Sequence, residues 1–102
     1  MKGHQLVVAI INAGFSTEVM DVAKENGANG GTVIHARGSG YKPSENKYGI
    51  VITPDKEMVL IVVKNEDCDK IIEAISKQAG IGTKVQGIVF SLPVSHVSGL
   101  RF

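Results

Sequence analysis

The run Met58–Ala79, "MVLIVVKNEDCDKIIEAISKQA", decides how this chain folds. Its first six residues are apolar without a break. A strand wetted on one face alternates apolar with polar, so an unbroken run predicts a central strand covered on both faces. Asn65 then reads as the cap of a helix, with Asp67 and Asp69 near its start, where acids favour the positive end of the dipole. Cys68, Ile71, Ile72, Ile75 and Ala79 recur at helical spacing and form one apolar stripe. A buried strand feeding an amphipathic helix is one half of a larger pattern.

The other half lies upstream. Leu6–Ala13 is a second compact apolar run, closed by Gly14. Ser16 or Thr17 can cap a helix there, with Glu18 at its positive end; Val19, Val22 and Ala23 follow at helical spacing, and "ENGANGG" stops it. Thr32–Arg37 reads as the next strand, Tyr48–Thr53 as another beyond a long loop, and "PDKE" (54–57) as a tight turn, since proline presets the first turn dihedral. Gly87–Leu92 is the last strand, ended by Pro93. With Tyr48–Thr53 left aside, the order βαββαβ is that of the ferredoxin-like fold, an α+β architecture with an antiparallel sheet and both helices on one face.

That fold leaves the second sheet face bare. Yet residues 6–13 and 58–63 are apolar at both alternate sets of positions, which a sheet open to water does not need. Cover by another subunit, in a closed homo-oligomer, accounts for this. The competing account is a C-terminal "VSHVSGLRF" folded back over the face.

The bulk numbers agree with a single domain, 1–102. The chain is 43% apolar and 21% charged, with a mean hydropathy of +0.11, enough for a core and too little charge for disorder. A net charge of +1 offers no electrostatic footing for nucleic acid or an acidic membrane. One cysteine, Cys68, excludes an intrachain disulfide and fits a reduced, cytoplasmic setting. Leu6–Ile11 is short for a signal peptide, and no segment has the length to span a bilayer, so no membrane insertion is expected.

Two loops could carry function. "GIGTKVQG" (80–87) combines Gly82 and Gly87 with a hydroxyl at Thr83 and a cation at Lys84, which suits phosphate, although it does not match the P-loop. The plain alternative is that these are turn glycines. "GSGYKPSENK" (38–47) is long for a hairpin connection and is flanked by Arg37 and Tyr48; with Tyr41, Lys42 and Lys47 it reads as a basic recognition loop. His4, His35 and His96 lack ligand spacing, so no metal is expected, and His35 reads as a half-buried structural residue. Cys68 falls on the core stripe. No nucleophile–base pair or paired carboxylates emerge, so the chain does not read as an enzyme.

Taken in order, "ENGANGGTVIHARGSG", "MVLIVV" with its acidic helix start, and "GIGTKVQGIVFSLPV" resemble the P-II signalling proteins, from about Leu6 to Val94. The resemblance implies a cytoplasmic homotrimer that binds adenine nucleotide (ADP, AMP, ATP or a cyclic nucleotide, none obligatory) in clefts between subunits. It implies a T-loop, here 38–47, that docks on a membrane transporter, such as one for ammonium, or on an enzyme of nitrogen metabolism. Carried over by position, Ile10, Thr32, Gly38 and Gly40 line one side of the cleft, with Leu60 and Val62 where the central strand meets the base. The B-loop supplies Gly82, Thr83, Lys84, Gln86 and Gly87, and Arg101 a phosphate contact. The chain departs from the family's pattern at Lys42, in place of a glutamine, at Leu60, in place of an acid, and at Ile88, in place of a lysine. The T-loop is also several residues short. Those changes bear on 2-oxoglutarate sensing, covalent modification of the loop and tight ATP binding. Two other readings stand beside the sensor: a ligand-independent trimeric interaction module, and an acylphosphatase-like hydrolase, for which Asn12, Asn26, Asn29 and Arg37 show no converging spacing.

Overall fold

The computed structural model describes residues 3–39 and 54–100. Within them the chain runs β1 (His4–Asn12), α1 (Ser16–Glu25), β2 (Thr32–Arg37), β3 (Asp55–Lys64), α2 (Asn65–Ala79) and β4 (Ile88–Val94). The strands form one sheet in the order β2-β3-β1-β4, with every pairing antiparallel. This is the ferredoxin-like α+β fold.

Period-two alternation sorts the sheet into two faces. Val7, Ala9 and Ile11 of β1 and Val59, Ile61 and Val63 of β3 turn to one side, at most 1% exposed. They meet Val19, Val22 and Ala23 of α1 and Cys68, Ile71, Ile75 and Ala79 of α2 in a single core. The stripe spacing on each helix places these residues together, so helices and sheet are dry on one shared side only.

The opposite face is apolar as well. The register lines up Ile34, Met58, Ile10 and Ile88 in one row, then Leu60, Val8 and Phe90 beside Thr32, then Val62, Leu6 and Leu92. Ile34, Ile88, Phe90 and Leu92 are 40–48% exposed. Residues 95–100 do not cover them, so among the described residues the fold-back of the C-terminal segment is not found.

Several local expectations are corrected. "PDKE" is not a turn: Asp55–Glu57 belong to β3, because β1 extends to Asn12 and holds Lys56 opposite it. The Gly38 N–H also donates to the Pro54 carbonyl at 2.7 Å, continuing the β2–β3 ladder by a rung. Neither Ser16 nor Thr17 caps α1; Ser16 is its first residue and Phe15 holds the cap position without a side-chain bond. Asn65 is the first residue of α2 rather than its cap. It ties down the N-terminus instead: its N–H donates to the Gly3 carbonyl at 3.1 Å and its Oδ1 accepts from Gln5 Nε2 at 3.0 Å. Pro93 lies inside β4 opposite Gln5, which is tolerated because β4 is an edge strand. His35 is exposed rather than half-buried, since it lies on the other edge strand, β2, whose residues are all exposed. Tyr48–Thr53 lies outside the described residues.

The core stripe on α2 makes a direct stability prediction. Ile71 is fully buried, while Ile72 only packs at the margin of the core. Ile71→Ala should lower the unfolding free energy by about 2–5 kcal/mol in urea titrations, and Ile72→Ala by clearly less.

Candidate functional site at one end of the sheet

The end of the sheet where β1 stops and β3 begins gathers the polar groups that the core excludes. Asn12 and Lys56 are each 3% exposed and face one another in the register. Lys56 Nζ donates to Asn12 Oδ1 at 2.7 Å. Asn12 in turn holds the 80–87 loop from two sides: its N–H donates to the Val85 carbonyl at 2.9 Å and its Nδ2 to the Lys84 carbonyl at 3.1 Å. Val85, buried at 2% exposure, plugs the loop into the core. Burial pushes the Lys56 ammonium below its ordinary value of 10.5 by removing water from the charged form. Next to it, Glu57 Oε1 accepts from the Gly14 N–H at 2.8 Å, and its Oε2 lies 4.0 Å from His35 Nδ1.

The 80–87 loop is built largely from its own hydrogen bonds. Gly80 and Gly87 bridge its base, and the Gly87 N–H donates to the Ala79 carbonyl at 2.7 Å. A Cβ at Gly87 would run into that same Ala79 carbonyl oxygen, so the position requires glycine. Thr83 Oγ1 donates to the Gly80 carbonyl at 2.7 Å and accepts from the Val85 N–H at 3.2 Å. Gln86 adopts φ +53°, a left-handed conformation uncommon outside glycine. Its Oε1 accepts from the Gly82 N–H at 3.3 Å.

The expected site residues fall into two groups. Gly38, Gly82, Thr83, Lys84, Gln86 and Gly87 all lie at this sheet end, and Ile10 sits two residues before Asn12 on the open face. Thr32 pairs with Leu60, and Val62 with Leu6, toward the other end; the five residue steps from Thr32 to Arg37 span about 17 Å. One chain therefore does not bring the two groups together. Gly40, Tyr41, Lys42, Lys47 and Arg101 lie outside the described residues. Sequence reading gave Lys56 and Glu57 no role at a site and weighed Asn12 only for a hydrolase. Their signal was a polar residue directly after the unbroken apolar stretch Leu6–Ile11 and a Lys-Glu pair just before another, which the turn assignment absorbed.

Elsewhere, a groove of about 230 Å³ between the helices is lined by Glu18, Asp21, Val22, Glu25, Gln78 and Ala79. Its acids do not suit a phosphate. Among the described residues no group of three or more His, Cys, Asp or Glu could hold a metal, and Cys68 is a buried free thiol. No helix among them is long and apolar enough to cross a membrane.

A sequence model of the nitrogen regulatory protein P-II family matches residues 4–102. The chain belongs to the P-II family. It is 33% identical over 101 residues to nitrogen regulatory protein P-II 2 of Methanothermobacter thermautotrophicus, spanning 93% of this chain and 87% of that one. The crystal structure of Arabidopsis thaliana PII bound to citrate superposes with a TM-score of 0.67 at 26% identity, over 93% of this chain and 78% of the other. A PII-like signalling protein of Thermus thermophilus shares the fold, with a TM-score of 0.64 at 18% identity over 91% and 89%. P-II proteins are regulators rather than enzymes, and a trimer is typical of them. This P-II chain is thus a nitrogen regulatory signalling protein.

The Asn12–Lys56 pair carries two predictions. Asn12→Leu takes this partner away from a buried ammonium and from the Lys84 carbonyl, and should cost about 3 kcal/mol in urea titrations. Pairing it with Lys56→Met should return part of that loss. Because the folded state holds the Lys56 proton less tightly than the unfolded state, the unfolding free energy of the wild type should rise with pH through the window that ends at 10.5. Lys56→Gln should remove that part of the slope.

Proposed function

We propose that this P-II protein is a non-enzymatic sensor of adenine nucleotide that regulates a partner through its 38–47 loop. The observation that carries this reading is that Gly38, the root of that loop, and the glycine-rich 80–87 loop lie at the same end of the sheet. A ligand held by both can favour one arrangement of the 38–47 loop over another, which is the physical requirement for a switch. The Gly82 N–H, held by a side chain, and Lys84 suit the phosphates.

The separation of Thr32 and Val62 from that end supports a cleft between subunits, where one chain supplies the 80–87 loop and its neighbour the remainder. The trimer is the assembly that fits: three apolar rows on the open face need a cover, and a closed ring of copies supplies one without leaving a free face. The candidate ligands are ADP, ATP, AMP and a cyclic nucleotide. The partner classes are a transporter, such as one for ammonium, and an enzyme of nitrogen metabolism, met in the cytoplasm. Lys42, Leu60 and Ile88 argue for a sensor that does not depend on 2-oxoglutarate.

Calorimetric titration of the purified protein with the four nucleotides tests the ligand. Heat of binding with at least one is expected, and none with any of them would overturn the reading. Native mass spectrometry should report a trimer. Phe90→Glu, which sets a carboxylate in the middle row of the open face, should reduce it to monomer while the nucleotide-free fold persists by circular dichroism.

A further inference from the structure

We infer that the Gln86 side chain is an internal stand-in for the anionic ligand: its amide oxygen occupies the Gly82 N–H that a phosphate oxygen would otherwise take. This deepens the nucleotide reading above and rests on it.

Four observations support the assignment. Gly82 has φ +96°, a conformation that suits glycine, and a Cβ placed there would meet nothing within 4 Å. The space beside that backbone is therefore open to a ligand. Most other donors of the loop are already engaged by carbonyls or by the Thr83 hydroxyl: the N–H groups of Thr83, Val85, Gln86 and Gly87 all have short partners inside the loop or at its base. The Gly82 N–H is held only by a side chain, at 3.3 Å, the longest of these bonds. Finally, Gln86 carries a left-handed φ of +53°, an unfavourable backbone state for an ordinary residue. That state lets a side chain four residues further on close back over Gly82.

A neutral amide is a weaker acceptor than a phosphate oxygen, because hydrogen bonds to a charged acceptor are shorter and stronger. The nucleotide therefore displaces Gln86, and the loop stays ordered in its absence because the donor is never left bare. The device lowers affinity by the strength of the bond it replaces. It also makes the site respond to anion strength, so di- and triphosphates displace Gln86 more readily than monophosphates.

The test is titration of wild type, Gln86→Asn and Gln86→Glu with ADP, together with the Gly82 amide resonance. Asparagine tolerates the left-handed backbone but is too short to reach Gly82. Gln86→Asn should tighten ADP binding by about three- to tenfold, the range set by one modest hydrogen bond. Its Gly82 amide should exchange faster without ligand and regain protection with ADP. Gln86→Glu, which places a carboxylate on the same donor, should weaken binding by at least as much. Equal affinity in all three proteins, or weaker binding by Gln86→Asn, would overturn the stand-in and leave nucleotide binding intact. Absence of ADP binding by both wild type and Gln86→Asn would overturn the stand-in, and with it the ADP form of the nucleotide reading.

Discussion

The antiparallel pairing of β1 with β3 is the constraint on which the rest of this molecule depends. It sets Val7 against Ile61 and Ala9 against Val59 on the helix side, and these residues are fully buried. The same register sets Leu6 against Val62 and Val8 against Leu60 on the other side. A slip of one residue would exchange the two faces. It would also break the opposition of Asn12 and Lys56 at the sheet end. One register therefore fixes the core, the open face and the polar anchor of the 80–87 loop together.

On the proposed function, the open face explains how so small a chain can carry a site divided in two. A domain of about a hundred residues buries a limited share of its surface alone, so shared burial with copies is stabilising. Because the rows of the open face run across the sheet, any copy seated there approaches both sheet ends. On the proposed function, that is what allows Thr32 and Val62 of one chain to complement the 80–87 loop of another. Assembly and ligand binding then draw on the same surface, and the nucleotide would act as a further clasp between subunits.

Much of this architecture is legible in the sequence alone. Unbroken apolar runs mark β1 and β3, the 3.6-residue stripe marks α2, and the excess of apolar residues on the central strands foretells a second face in need of cover. Local detail is less legible, for identifiable reasons. Lys56 and Glu57 look like turn residues because they are polar and follow Pro54, yet β1 supplies partners that hold them in a strand. Tertiary pairing outweighs turn propensity there. Pro93 looks like a strand end, but an edge strand has a ladder side that needs no donor. The expected caps are not formed because the first turns of both helices are positioned by packing and by Gly3 and Phe15 rather than by a side-chain oxygen. The self-satisfied loop around Thr83 and Gln86 is not legible at all, since nothing in "GIGTKVQG" says whether its donors face inward or outward.

The asymmetry between the two loops at the sheet end constrains how a signal could travel. The 80–87 loop is tied to β1 by two bonds from Asn12, which is itself held by the buried Lys56. Moving it would take two carbonyl acceptors away from the buried Asn12, which is costly. The 38–47 loop is rooted differently: the Gly38 N–H to Pro54 bond is the last described rung of the β2–β3 ladder. On the proposed function, the 80–87 loop is therefore the fixed wall of the cleft, and the change that reaches a partner has to arise beyond that rung. A coupling of about 1–3 kcal/mol is typical of such devices. One hydrogen bond gained by a ligand lies near the lower end of that range, so on that function a switch needs no rearrangement of the core.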